Sequence, residues 1–171
     1  MEGILKMKHT ISVLVENHSG VLSRISGLFS RRGFNIDSLA VGPTQDPTVS
    51  RITIIADGDD YTVEQIEKQL NKLVEVIKVK TFTMGEYLAR ELMLVKVAAG
   101  ADKRQDIMTI CDITNARVID LTTGTMTLEV CDKYEHLKRF EELIAPYGII
   151  EMVRTGTIAI QKGAEVIAPR K

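Results

Sequence analysis

Tryptophan is absent from this 171-residue sequence, and all aromatic residues together make up only 5% of it. Platforms that stack unpaired bases need such rings, so an RNA-reading surface is not expected. Neither sign of charge is in excess: 22 lysines and arginines stand against 23 acids, for a formal net charge of -1. That balance leaves no electrostatic footprint for nucleic acid or for an anionic membrane. No apolar run reaches the length of a bilayer span, and the leader Met1 to Met7 is too short and too polar for a secretory signal. These absences predict a soluble, cytoplasmic protein. Cysteine is scarce, with Cys111 and Cys131 outside any C-x-x-C pair, and the reading is two buried, reduced thiols rather than a redox couple. His9, His18 and His136 are scattered, without acidic or cysteine partners at ligand spacing, so no metal site is read.

What the chain does have is 44% hydrophobic residues in a pattern that repeats. From Lys8 to Phe82 the periodicity reads strand, helix, strand, strand, helix, strand. The first helix carries Val21, Leu22, Ile25, Leu28 and Phe29 on one face and ends at Arg31-Arg32-Gly33, basic residues followed by glycine. In the second strand the apolar phase shifts between Ile36 and Leu39, which predicts a bulge. Thr62-Val63-Glu64-Gln65 has the form of a capping box and opens the second helix, with Leu70, Leu73 and Val74 on its apolar face. The same order recurs from Glu91 to about Ile160, with helices marked by Ile107, Ile110 and Cys111 and by Leu137, Phe140 and Ile144. The expected fold is α+β: two tandem ferredoxin-like βαββαβ domains, each an antiparallel sheet with helices on one face. Their expected limits are 1–82 and 91–171, joined by a linker at 83–90. One face of each sheet is left open, with Leu39 and Ile55 on the first, and an open face or an unpaired edge strand is a route to a partner or a dimer.

The segment from Leu14 to Leu22 reads as a buried strand turning through a polar loop into the first helix. Its first amide N–H groups lack intrahelical partners and, with the positive end of the helix dipole, favour a carboxylate or phosphate. Gly20 permits close approach to the backbone, and Asn17 can donate and accept. The plain alternative is an ordinary cap supplied by Ser19 or Asn17, with no ligand. In the second repeat Ala99-Gly100-Ala101-Asp102-Lys103 stands at the same place, and Asp102 is the expected cap there, its carboxylate occupying the anion's position. Ligand binding is therefore expected in the first domain alone.

The βαββαβ unit hosts many activities, and the residues must choose among them. Arg32-Gly33-Phe34 matches the opening of an RNA-binding signature but sits at a helix end, with no further aromatics following. A catalytic role lacks a base that can be placed beside Ser19 or Ser23, and Asp57-Gly58-Asp59-Asp60 reads as a solvated turn.

Glu16-Asn17-His18-Ser19-Gly20-Val21-Leu22, then Arg32-Gly33-Phe34-Asn35-Ile36-Asp37-Ser38-Leu39, then Pro43 to Arg51, and Leu92-Met93-Leu94-Val95-Lys96-Val97 closely resemble the regulatory small subunit of acetolactate synthase, also called acetohydroxyacid synthase. The resemblance runs from about Ile11 to Gly163. It implies an amino-terminal ACT domain that binds a branched-chain amino acid, chiefly valine with isoleucine or leucine possible, where two ACT domains meet in a homodimer. By the same resemblance the effector site comprises Asn17, Gly20 and Asn35, with the main chain of Val21, Leu22 and Ile36. The family's small subunit has no catalytic residues of its own and binds no cofactor. It raises the activity of a separate catalytic subunit, which uses thiamine diphosphate, Mg²⁺ and often FAD, and it confers feedback inhibition on branched-chain amino acid biosynthesis. The alternative kept open is a freestanding ACT-domain sensor of another amino-acid enzyme.

Overall fold

In the computed structural model, which describes residues 7–168, the element order is β1 (Met7–Glu16), α1 (Val21–Arg32), β2 (Ile36–Pro43), β3 (Val49–Gly58), α2 (Asp60–Leu70) and β4 (Val76–Thr81). The pattern then repeats as β5 (Tyr87–Ala98), α3 (Arg104–Thr114), β6 (Arg117–Leu121), β7 (Thr125–Asp132), α4 (Tyr134–Ile144) and β8 (Ile149–Arg154), and a short β9 (Ile158–Gln161) ends it. The first sheet has strand order β2-β3-β1-β4 and the second β6-β7-β5-β8, with β9 paired to β5. β1 pairs antiparallel with β3 and β4, β2 with β3, β5 with β7 and β8, and β6 with β7. Two ferredoxin-like βαββαβ units are thus present, as the repeat predicts.

Period-two alternation builds each sheet's inner face. Ile11, Val13 and Val15 on β1 and Ile52, Ile54 and Ala56 on β3 are buried under Val21, Ile25, Leu28 and Phe29 of α1 and Val63, Ile66 and Leu70 of α2. Phe34 meets Phe29 edge-on, with ring centroids 6.1 Å apart. In the second unit Met93, Val95 and Val97 with Met126 and Leu128 pack against Ile107, Cys111, Leu137, Phe140 and Ile144. Gly33, at φ 69, closes α1, and the β2 register shifts between Ile36 and Ser38, where the bulge is expected.

Several local expectations are corrected. Leu22 is 41% exposed and does not share the buried face of α1; the buried stripe passes through Val21 and Ile25, and Leu22 stands one residue round the helix from Val21. The cap of α2 is Asp59, whose Oδ1 accepts the Thr62 N–H at 2.8 Å, so Thr62 lies inside the helix. That helix stops at Leu70, which leaves Leu73 half-buried and Val74 on the surface. Cys111 is buried, and burial pushes its thiol pKa up, whereas Cys131 is exposed. Leu39 pairs with Ile54 and packs on the helix-side core, because the bulge reverses the alternation of β2.

The chain separates into two compact units, residues up to Leu88 with those from Ile158 onward, and residues 89–157. The boundary falls within β5 rather than in a separate linker at 83–90, and the C-terminal segment, expected with the second domain, groups with the first. Here the first sheet's outer face has partners within its own chain. Thr10, Ser12, Leu14 and Thr53 on that face are all buried. Tyr87, stacked on Phe82 at 5.0 Å, shares a hydrogen bond with Thr10 Oγ1 at 3.1 Å. The Arg51 guanidinium reaches the Ile167 carbonyl at 3.5 Å, and Lys162 donates to the carbonyls of Gly85 and Glu86. Ending the chain at Thr157 is expected to uncover part of this face. Exposing a side chain the size of Leu14 costs about 2 kcal/mol, so Tm should fall by several degrees and binding of a hydrophobic dye should rise. Unchanged melting and dye binding in the truncated chain would show the segment to be dispensable.

Candidate ligand-binding site

The junction between β1 and α1 is held from two sides by the chain itself. Glu16 N–H donates to the Glu75 carbonyl ahead of β4 at 3.0 Å. Asn17 N–H donates to the Thr48 carbonyl at 2.7 Å, and its side-chain Nδ2 donates to the Pro47 carbonyl at 2.8 Å, which fastens the loop to the β2–β3 hairpin. That hairpin is itself braced by Asp46, whose Oδ1 accepts from Thr48 N and Thr48 Oγ1; these bonds hold the Asp46 carboxyl below its ordinary pKa. Asn17 is therefore an anchor of the loop as well as a candidate ligand contact.

Gly20 is the residue preceding α1 and lies at φ 88, a left-handed conformation that favours glycine. No side chain caps the helix: neither Ser19 nor Asn17 supplies the bond expected of an ordinary cap, and the first turn contains no acid. Val21 is buried, Leu22 is half exposed, and an added Cβ at Gly20 would meet nothing within 4 Å. The amides that open this 12-residue helix, at its positive end, thus receive no side-chain cap, and there is space beside Gly20. Two carboxylates of this region have basic neighbours: Glu75 is buried and paired with Arg24 of α1, and Glu16 Oε2 lies 3.0 Å from His18 Nε2, an ion pair when the imidazole is protonated.

Asn35 and Ile36 lie elsewhere. Glu16 stands opposite Val49 and Pro43 opposite Ser50, whereas Ile36 stands opposite Ala56, at the other end of β3. The length of α1, about 18 Å at 1.5 Å per residue, separates the Gly20 end from the Asn35 end. Asn35 Nδ2 donates to Asp37 Oδ1 at 2.7 Å, and Asp37 Oδ2 pairs with Lys8 at 3.0 Å. This commits one amide proton of Asn35 and leaves its carbonyl oxygen to serve as an acceptor. Within one chain, the six predicted residues fall into two groups, one at each end of α1.

At the corresponding junction of the second unit Asp102 is not the cap. Lys103 precedes α3 without any side-chain capping bond. Arg104 takes the loop instead: its Nε donates to the Ala99 carbonyl at 3.2 Å, and its Nη2 donates to the Thr122 and Thr123 carbonyls, each at 2.7 Å. The Arg104 guanidinium ties loop to hairpin there, as Asn17 does in the first unit. Sequence reading missed Arg104, His18 and the Arg24–Glu75 pair, because each acts through residues distant or differently spaced in sequence. Among the described residues no group of acids, histidines and cysteines could hold a metal, and no helix is long and apolar enough to cross a membrane.

Residues 11–78 match the family described as the AHAS small subunit-like ACT domain, and residues 90–163 match the small subunit of acetolactate synthase. A probable acetolactate synthase small subunit of Archaeoglobus fulgidus is 48% identical over 92% of this chain and 98% of its own length. The acetolactate synthase small subunit of Mycolicibacterium smegmatis is 44% identical over 95% of this chain and 96% of its own. The crystal structure of the small subunit from Thermotoga maritima superposes with a TM-score of 0.87 at 35% identity, covering 93% of this chain and 99% of that one. Likeness that spans both units at such identity goes beyond a shared ferredoxin-like fold, and this chain belongs to the acetolactate synthase small-subunit family, with an ACT domain as its first unit.

Proposed function

We propose that this chain is the non-catalytic regulatory subunit that activates a separate catalytic acetolactate synthase subunit and makes it sensitive to valine, with isoleucine or leucine as weaker effectors. The observation that carries this reading is the uncapped, acid-free start of α1 behind Gly20, in a chain of this family. A free amino acid offers a carboxylate to those amides, an ammonium to amide or carbonyl oxygens, and an apolar side chain to the half-exposed Leu22. Selectivity among branched side chains is shallow, because one methylene in an apolar pocket is worth only about 1 to 3 kcal/mol. Thiamine diphosphate, Mg²⁺ and FAD belong to the catalytic partner in this reading, and the complex works in the cytoplasm.

The separation of the two groups supports a homodimer as the binding unit. β2 is an edge strand of the first sheet, and two-fold pairing of β2 with its copy runs the strands antiparallel. That brings the Gly20 end of one protomer towards the Asn35 end of its partner. Two copies would complete two equivalent sites. Mixing tests this directly. Asn17→Ala and Asn35→Ala homodimers each carry two damaged sites and should bind valine more weakly by about 1.5 to 3 kcal/mol, the worth of a hydrogen bond to a charged group. Heterodimers of the two variants regain one intact site per dimer, read by calorimetry as half the wild-type stoichiometry at wild-type affinity. Failure to regain any tight site would place the site within a single protomer. For the function itself, affinity capture from cell extract should yield a thiamine-dependent enzyme whose activity rises on adding this chain and falls again with valine. Capture of another amino-acid enzyme would favour the freestanding sensor.

A further inference from the structure

His18 sits in the loop between Asn17 and Gly20, and both of its ring nitrogens meet oxygen acceptors. Nδ1 lies 3.0 Å from the Ser19 carbonyl and Nε2 lies 3.0 Å from Glu16 Oε2. A carbonyl only accepts, and so does an ionised carboxylate. A neutral imidazole has one N–H and one lone pair, so it can satisfy one of these contacts while turning its lone pair on the other oxygen. The imidazolium satisfies both. We infer that His18 is a proton-operated positioning residue of the effector loop, which couples the affinity for the amino-acid effector to pH. This rests on the site proposed above and adds a regulatory property to it.

Two effects act in the same direction. With both bonds made, the Ser19 carbonyl is held by His18 next to the start of α1, and the loop keeps the conformation in which Gly20 leads into uncapped amides. The imidazolium also offsets Glu16, whose carboxylate otherwise stands uncompensated near the place where the effector's own carboxylate docks. The charged groups that act on His18 are Glu16 at the end of β1 and Glu75 ahead of β4, the latter with its partner Arg24 on α1. The Ser19 carbonyl first, and the Glu16 carboxylate second, hold the imidazole above its ordinary pKa. The contacts of a group raised in this way are complete below its pKa and are lost as pH rises through it. Effector affinity should follow that curve.

The test is calorimetry of valine binding to the full-length chain between about pH 6 and pH 8.5, across the range in which a histidine changes charge. For the wild type, affinity is expected to fall about threefold or more across this range. By reciprocity, saturating valine then raises the His18 pKa by about half a unit, read from the ring proton shifts in a chain with only three histidines. His18→Gln should bind at the wild type's high-pH affinity with a flat profile. His18→Lys, charged throughout, should bind at the low-pH affinity, equally flat. Parallel pH profiles in wild type and His18→Gln, or a His18 pKa that valine does not move, overturn the inference and leave the effector site standing. Absence of valine binding at every pH in all three proteins overturns the site reading and this inference with it.

Discussion

Replacing Gly20 with aspartate is expected to abolish the valine response. A carboxylate placed about 4 Å from that of the effector costs roughly 4 kcal/mol at the effective dielectric of a protein surface. That is nearly three decades of affinity. A Cβ at Gly20 meets nothing within 4 Å, so the cost to the fold is the backbone strain of a side chain at positive φ. The left-handed φ of 88 is one that aspartate adopts more readily than most residues. The chain should therefore fold, associate with its catalytic partner and stimulate it, while valine no longer inhibits. Gly20→Ala separates charge from conformation: it carries the same backbone strain without the carboxylate, and it should retain most of the valine affinity. Wild-type affinity in the aspartate variant, measured by calorimetry, would remove the α1 start from the site.

A comparable effect is expected in the second unit from Phe140→Ala. Phe140 is 1% exposed and packs among Leu137, Ile144 and Met126. Truncating a buried phenylalanine costs about 3 to 5 kcal/mol, a large fraction of the stability of a small domain. Because the first unit has a separate core, its valine affinity should remain unchanged below the new melting transition. What should weaken is transmission, seen as loss of valine inhibition in the reconstituted enzyme. This variant tests the second unit better than cutting the chain after Phe82. Such a cut also removes Tyr87 and the segment beyond Ile158, both of which belong with the first unit. Full inhibition in the complex with Phe140→Ala, with the second unit unfolded, would confine regulation to the ACT domain.

Much of the local architecture was legible in the amino-acid order. The alternation of Ile52, Ile54 and Ala56, the helical spacing of Val21, Ile25 and Leu28, and the Arg31-Arg32-Gly33 stop each encode an element through contacts within a few residues. The phase slip between Ile36 and Leu39 announced a bulge. Its consequence, that Leu39 turns to the helix side, depended on which β3 residue it met. The uncapped opening of α1 was likewise anticipated as a possibility. At α3 the sequence points to Asp102 as the cap, whereas the Arg104 guanidinium holds that loop through carbonyls 18 and 19 residues away, a reach no local rule predicts.

By itself, then, the order of residues determined two βαββαβ units, the limits of their elements to within a few residues, and a first helix that opens at Gly20, because periodicity and glycine conformation are short-range properties. Only the tertiary structure decided that Asn17 is tied to Pro47 and Thr48, that Arg24 pairs with Glu75, and that the segment from Ile158 groups with the first unit. Those arrangements arise from strand register and from contacts between segments remote in sequence, whose free energy is set by geometry that residue order does not display.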